Sequence, residues 1–366
     1  MADPLRIGDP APWFTADCTS NPAFNVSTVA GRWLVLGFLG TSTLAVAQAA
    51  LGAISRRRHL FDDQRVSFFG VSVDPADRTR LVESLPGIRF FRDDNLEVSR
   101  RYGAVTPDSV PGGSLGVRAF WMILDPMLRI HAVRPLAEAE ALLDDIAALP
   151  DPDAHAGMPL TAPVLMLPRV FEPELCAHLV DLYETHGGEE SGFMREVDGR
   201  TVAMLDHRHK RRSDFQITDE PLRATLRDRI IRRLVPEIRK AFQFEATRLE
   251  RYIVACYDAG VGGYFRPHRD NTTKGTAHRR FAVTINLDAE AYDGGELRFP
   301  EFGQRTYRAP TGGAVVFSCS LLHEATPVTR GRRHAFLPFL YDDEGARIRE
   351  ANNPYLGEGL GPYRAG

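Results

Sequence analysis

His268 and Asp270 stand two residues apart in Tyr264-Phe265-Arg266-Pro267-His268-Arg269-Asp270, and His323 is followed ten residues later by Arg333, past Thr326-Pro327-Val328-Thr329-Arg330-Gly331. Two imidazoles and one carboxylate are three ligands of intermediate hardness. Such a set suits ferrous iron when it covers one face of the ion and leaves the opposite positions open. A guanidinium at a fixed distance beyond the last ligand suits a bidentate anion, such as the tail of a dicarboxylate. Residues two apart on a strand share a face, so His268 and Asp270 can converge on one ion if His323 arrives from another strand. Arg332 would point to the opposite side of its strand from Arg333. Taken singly, each histidine reads as an ordinary surface or hydrogen-bonded residue, and one His-x-Asp is expected by chance in a chain of this length. Only the combination is informative.

These residues need two short strands to bring them together. His323 follows Gly313-Ala314-Val315-Val316-Phe317, a run that reads as a strand. Two facing short strands are the geometry of a double-stranded β-helix, or jelly roll. Ahead of this strand-rich region, Glu172-Pro173-Glu174 opens a helix to about His186, since proline suits a first helical turn. A long amphipathic helix is expected over 220–242.

The 366 residues suggest two domains of roughly 150–200 residues each. In the first half, Arg32–Phe38 and Val66–Val73 are apolar runs of buried-strand length, separated by a helical stretch over 43–60. Helix-like segments over 78–85 and 96–102, a short strand over 88–91, a hairpin over 119–133 turning at Asp125-Pro126, and a last helix over 136–149 follow. This alternation argues for an α/β sheet with helices on both faces. The Pro-, Asp- and Gly-rich stretch 149–159 reads as a linker. The expected organisation is a first domain over 1–148, that linker, a second domain over 160–345 and a C-terminal tail over 346–366.

A net charge of −3 gives no basic face for bulk nucleic-acid binding. There is no uninterrupted apolar run of roughly 18 residues, so no membrane span is expected. The first residues lack an apolar signal core. The four cysteines (Cys18, Cys176, Cys256, Cys319) form no CxxC pair, which fits reduced thiols in a cytoplasmic protein.

The first half resembles peroxiredoxins of the alkyl-hydroperoxide-reductase type, which have a thioredoxin-like fold, through Gly8-Asp9-Pro10-Ala11-Pro12-Trp13-Phe14, Gly70-Val71-Ser72-Val73-Asp74 and Arg118-Ala119-Phe120-Trp121-Met122-Ile123-Leu124-Asp125-Pro126. The resemblance departs where those proteins carry the peroxidatic cysteine: here the turn reads Leu39-Gly40-Thr41-Ser42-Thr43-Leu44. Arg118 matches the family's thiolate-stabilising arginine but has no thiolate to serve. Cys18 lies too early and reads as buried filler. The resemblance therefore implies a module without peroxidase activity, suited to interaction, homodimerisation or support.

Over about residues 160–345 the chain resembles the prolyl-4-hydroxylase-like branch of the 2-oxoglutarate oxygenases. Val254-Ala255-Cys256-Tyr257-Asp258-Ala259-Gly260 and Gly263 to Asn271 match the first ligand strand. Thr284-Ile285-Asn286-Leu287 and Asp293-Gly294-Gly295-Glu296-Leu297-Arg298-Phe299 match the next strand and its hairpin. His323, Pro327-Val328, Gly331 and Arg333 match the closing segment. The resemblance implies His268, Asp270 and His323 as Fe(II) ligands. It implies Arg333 and Tyr257, with Thr284 or Asn286, as residues that hold 2-oxoglutarate, and ascorbate as a candidate auxiliary. It further implies hydroxylation of a C–H bond in a peptidyl (prolyl-type) or small amino-acid-like substrate, using O2 and releasing succinate and CO2. A small residue at position 270 would instead open a site for halide, so Asp270 favours hydroxylation. Alternatives are a thiol peroxidase, opposed by the missing cysteine, and a non-catalytic scaffold, opposed by the intact triad and arginine. The basic run His207-Arg208-His209-Lys210-Arg211-Arg212 reads as a solvated loop or as a rim that steers an acidic substrate. The loop over 271–280 leaves directly from the metal site and is a second candidate for substrate contact.

Overall fold

In the computed structural model, which describes residues 5–365, the apolar run Trp33–Gly40 is a strand buried along its whole length. Continuous apolar runs of this kind belong to the interior of a sheet covered on both faces. The strand is β3 of a seven-stranded sheet that also holds β1 (Thr15–Cys18), β2 (Asn21–Asn25), β4 (Val66–Ser72), β5 (Ile88–Arg92), β6 (Phe120–Leu124) and β7 (Ile130–Pro135). Their order is β2-β1-β5-β4-β3-β6-β7. β3, β4 and β5 run parallel, and β6 joins β3 antiparallel. Helices α1 (Ala45–Arg56), α2 (Asp77–Arg80), α3 (Glu97–Arg101) and α4 (Ala139–Ala148) complete the unit. Ala50, Ile54, Leu143 and Ile146 of α1 and α4 pack with Val35, Phe68 and Trp121 of the sheet.

The expected hairpin turns at Asp125, whose carboxylate accepts from the backbone N–H groups of Met127 and Arg129, each at 2.9 Å. The helix expected over 78–85 shrinks to the single turn of α2. Pro86 steers the preceding residue out of the helical region, and Ser84 pairs with Ile88 instead. The chain divides into two compact units: one runs to Thr161 and takes in Pro300–Gln304, and the other holds Ala162–Phe299 and the chain from Arg305 onward.

The second unit opens with β8 (Leu165–Leu167), α5 (Pro173–His186), β9 (Glu189–Glu190), β10 (Phe193–Val197), β11 (Arg200–Met204), β12 (Lys210–Arg211) and β13 (Ser213–Gln216). Helices α6 (Glu220–Arg233) and α7 (Val235–Phe242) follow. One continuous helix was expected there. Pro236 stands near the start of α7. It lacks an N–H and collides with the carbonyl four residues back, which breaks the helix in two. The remaining strands are β14 (Arg248–Glu250), β15 (Ile253–Asp258), β16 (Tyr264–His268), β17 (Phe281–Asn286), β18 (Asp293–Gly294), β19 (Leu297–Arg298), β20 (Thr306–Tyr307), β21 (Ala314–Ser318), β22 (His323–Ala325), β23 (Val328–Arg330), β24 (Arg332–Phe336) and β25 (Phe339–Tyr341). The region expected as a tail carries helix α8 (Asp343–Ala351), capped by the Asp342 side chain.

A large sheet runs β14-β25-β17-β24-β15-β13-β9, with β21 on β17 and β8 on β21, and a small sheet runs β12-β16-β22-β19-β20. From β15 onward the chain passes back and forth between the two. Strand alternation then sorts the side chains. Val254 and Cys256 of β15 join the core made with α5, α6 and α7, among Leu179, Leu226, Ile230 and Ile238. Tyr257 instead clusters with Phe265 and Ala325 of the small sheet. One face of the large sheet is therefore helix-covered core, and the other is the wall of the site.

Candidate metal centre and co-substrate pocket

β16 and β22 are antiparallel neighbours, and their register sets His268 directly opposite His323. Asp270 lies just past the end of β16, in a turn rather than on the strand. Its backbone N–H donates to the Cys319 carbonyl at 3.0 Å, which turns its carboxylate back toward the imidazoles. His268 Nε2 is 3.6 Å from one Asp270 oxygen and His323 Nε2 is 3.3 Å from the other. Ligand atoms of all three residues lie within 4.8 Å of one another, and no other such group occurs among the described residues.

The outer contacts fix the rings. His268 Nδ1 is 2.8 Å from the Arg266 carbonyl, and His323 Nδ1 is 3.0 Å from the Leu321 carbonyl. A carbonyl can only accept, so each Nδ1 carries the proton and each Nε2 presents its lone pair inward. Phe265 stacks on His268 at 3.5 Å between ring centres, and Phe317 lies 4.5 Å from the ring of His323. Burial, with His323 next to it, holds the His268 pKa well below the usual imidazole value. A pre-aimed imidazole pair beside a carboxylate is a donor set that fits a divalent first-row metal.

Arg333 sits across the β15–β24 ladder from Tyr257. It is 2% exposed, and its Nε and Nη1 have no hydrogen-bond partner. Leaving guanidinium donors dry and unpaired is costly, and these two nitrogens could take an anion. Arg332, on the other face, is spent on surface pairs with Glu184 at 2.8 Å and Asp258 at 3.0 Å. The Tyr257 ring lies under Arg333 at 5.0 Å. Thr284 and Asn286 alternate with the core residues Val283 and Ile285 and are buried on the site side of β17. Asn286 donates to the Ala309 carbonyl at 2.7 Å, while its own carbonyl oxygen is unpaired.

Several residues here escaped the sequence reading. Tyr292 is fully buried, and its hydroxyl lies beside Arg333 without hydrogen-bond geometry. Its only sequence signal is its place next to Asp293-Gly294-Gly295. The basic run is not simply a solvated loop. Arg208 and Arg211 face out, but Lys210 and Arg212 are 5% and 7% exposed. Burial, then neighbouring Arg212, pushes the Lys210 pKa well down. Burial opposes the charge on Asp214, but Arg212 and Arg251 hold it at about 2. His209 packs on Phe193 and Phe265. The loop after Asp270 is structurally committed: Thr273 and Thr276 are buried, and the Gly275 N–H donates to Thr201 Oγ1 at 2.8 Å.

In the first unit, the turn after β3 carries hydroxyls where a thiolate would stand. Thr41 donates to Asp74 at 2.7 Å, and the Ser42 N–H donates to buried Asp77 at 2.7 Å. Arg118 lies over the Phe120 ring at 4.9 Å.

Residues 252–341 match the 2OG-Fe(II) oxygenase superfamily, and residues 7–130 match the AhpC/TSA family. A PKHD-type hydroxylase of Maricaulis maris is 32% identical over 183 residues, 47% of this chain and 74% of that protein. The chain belongs to the PKHD-type hydroxylases of the 2OG-Fe(II) oxygenase superfamily. A PKHD-type hydroxylase of a Synechococcus strain is 35% identical over 89 residues, 23% of this chain, and the chain spans only 39% of that relative's length. Among solved structures, a Pseudomonas putida prolyl-4-hydroxylase is similar at 17% identity, covering 56% of this chain and 100% of that one, with a TM-score of 0.39. The chain is thus a fusion in which a unit matching the AhpC/TSA family precedes one matching the 2OG-Fe(II) oxygenase superfamily. No described helix is long and apolar enough to cross a membrane.

Proposed function

We propose that this chain hydroxylates a C–H bond of a peptidyl, prolyl-type or small amino-acid-like substrate, consuming 2-oxoglutarate and O2 and releasing succinate and CO2. One observation carries the reading: His268, Asp270 and His323 converge within 4.8 Å in the same unit as a buried guanidinium with two unpaired nitrogens. The strand order, with β15, β24, β17 and β21 in one sheet and β16, β22, β19 and β20 in the other, supports a double-stranded β-helix over roughly 160–345. A first domain over 1–148 and a linker over 149–159 complete the proposed organisation.

In this reading His268, Asp270 and His323 hold Fe(II), and Arg333 with Tyr257 holds the distal carboxylate of 2-oxoglutarate. Iron bound there with 2-oxoglutarate supplies an oxidant strong enough to break a C–H bond. The protein's part is positioning. Backbone carbonyls at Arg266 and Leu321 keep both imidazoles in one tautomer. Phe265 and Phe317 wall the rings from water. Tyr257 places its ring under the arginine, and Thr284 and Asn286 line the wall behind it. The Asp270 carboxylate fills a third ligand position, which favours hydroxylation over halide transfer.

The test is aerobic incubation of the iron-loaded protein with 2-oxoglutarate and cell extract, scored for succinate and for a mass gain of one oxygen. Succinate formed only with Fe(II), together with a new oxygenated species absent in His268→Ala, supports the proposal. No succinate under any of these conditions rejects it.

A further inference from the structure

Lys210, Arg212 and Asp214 alternate along the segment that passes from the small sheet to the large one. Lys210 pairs in register with Phe265 on β16, and Asp214 with Ala255 on β15. Period-two spacing turns all three side chains to the same side, toward the space lined by Tyr257. They close around Ser191, at the base of the hairpin β10–β11. Lys210 Nζ donates to Ser191 Oγ at 2.7 Å and to the Gly192 carbonyl at 2.6 Å. Ser191 Oγ donates to Asp214 at 2.5 Å, and Arg212 Nη2 donates to Ser191 Oγ at 3.1 Å and to Asp214 at 2.6 Å. The other arm of the same guanidinium, Nη1, donates to the Tyr257 hydroxyl oxygen at 3.4 Å.

That last contact leaves the Tyr257 hydrogen free to donate onward. A carboxylate lodged between Tyr257 and Arg333 would accept it and polarise the phenol, which strengthens the bond from Arg212 in turn, because hydrogen bonds in a chain reinforce one another in a dry site. Arg212 is 7% exposed, so its contacts with Ser191, Asp214 and Tyr257 are made away from water. At its far end, Ser191 and Gly192 lead straight into β10. A Cβ on Gly192 would stand 2.6 Å from the Met204 carbonyl oxygen, so the hairpin base closes backbone against backbone. Phe193, the first residue of the hairpin, packs on His209 at 4.5 Å and reaches Phe265, which stacks on His268. Five of the other nine residues of β10 and β11 are exposed, and Thr201 is buried where it holds Gly275, so it is the outer part of the hairpin that is open to local exchange.

We propose that Arg212 is a positioning residue that links the co-substrate pocket to the β10–β11 hairpin, so that 2-oxoglutarate bound at Arg333 and Tyr257 fixes the hairpin beside the metal site. The inference rests on the reading of Arg333 and Tyr257 given above. Free-energy coupling of this kind is reciprocal, so loosening the hairpin base also weakens 2-oxoglutarate binding.

The test is amide hydrogen exchange over residues 193–204 in the full chain, loaded anaerobically with Fe(II), with and without saturating 2-oxoglutarate. Exchange in the wild type is expected to slow about ten-fold when 2-oxoglutarate is added. Arg212→Lys keeps the charge but cannot span Ser191, Asp214 and Tyr257 at once, and is expected to lose that response. Tyr257→Phe keeps the ring under Arg333, removes only the hydroxyl, and is expected to lose it too; it carries the test if Arg212→Lys does not fold. The visible band of the iron–2-oxoglutarate complex reports occupancy independently. A wild type that shows the band without any slowing overturns the coupling alone, as do variants that slow as the wild type does. A wild type with no band takes down the oxygenase reading and this inference with it.

Discussion

Arg333 and Tyr257 lie opposite one another across the β15–β24 pair, with the guanidinium carbon 5.0 Å from the ring centre and two of its nitrogens buried and unpaired. Under the proposed function, this pair holds the distal carboxylate of 2-oxoglutarate. Arg333→Leu should therefore raise the KM for 2-oxoglutarate about 100-fold, equivalent to about 3 kcal/mol of charge-assisted hydrogen bonding. Arg332→Ala removes only half-exposed surface pairs and should change KM less than about three-fold. Steady-state succinate assays on both variants check this. Equal effects would dissolve the assignment of Arg333.

Gly295 has φ +68°, and an added Cβ would stand 2.8 Å from Val328 Cγ2 and 3.1 Å from Arg333 Cδ. Gly295→Ala should thus cost about 1–2 kcal/mol of stability from the left-handed backbone alone. It should also push Arg333 off its aim, raising the KM for 2-oxoglutarate about ten-fold, a shift of about 1.4 kcal/mol. Thermal melts and co-substrate titration read the two effects separately. A destabilised variant with unchanged KM would show that Arg333 tolerates the intrusion.

The structure brings His268, Asp270 and His323 within 4.8 Å of one another and buries Arg333, and the spacing and types of these residues were legible in the sequence. Asp270 reaches the site from a turn beyond its strand, a detail that period-two reasoning does not contain. Lys210 and Arg212 were not legible as interior residues. In a run of six basic side chains, every second one turning inward looks the same as all six facing water. The informative pattern was Lys-x-Arg-x-Asp, a cation pair answered by a carboxylate on the same strand face. Tyr292 gave no signal beyond its neighbouring glycines, since an inward aromatic and a core aromatic are spelled alike. The break between α6 and α7 was legible in Pro236 and was outweighed by the apolar periodicity around it.

His334, on the helix-covered face of β24, bonds Asp288 at 2.6 Å. Burial works against its charge, but Asp288 and the Cys256 sulfur hold its pKa at about 10. The unfolded value is near 6.5, so the folded pKa is raised. The resulting stability is fully present below about pH 6.5 and is lost as pH rises through about 10, in total on the order of a few kcal/mol. Denaturant unfolding of the second unit should show that decline, and His334→Gln should flatten it. A wild-type stability that is level from pH 6.5 to 10 would contradict the assignment.

Cys18 is 2% exposed, with its sulfur 3.8 Å from Ser20 Oγ, and the turn after β3 holds hydroxyls. Cys18→Ser should leave hydrogen-peroxide consumption unchanged at background. Peroxide turnover that disappears in this variant would restore a thiol peroxidase to the first unit.

His268, Asp270 and His323 are proposed to hold iron to which 2-oxoglutarate binds. Anaerobic addition of Fe(II) and then 2-oxoglutarate to the full chain, followed by visible spectroscopy, tests it most directly. The account predicts a weak charge-transfer band that needs both additions, is lost in His268→Ala and in His323→Ala, and gives way to succinate when air is admitted. Absence of the band in the wild type, with no succinate in air, would contradict it.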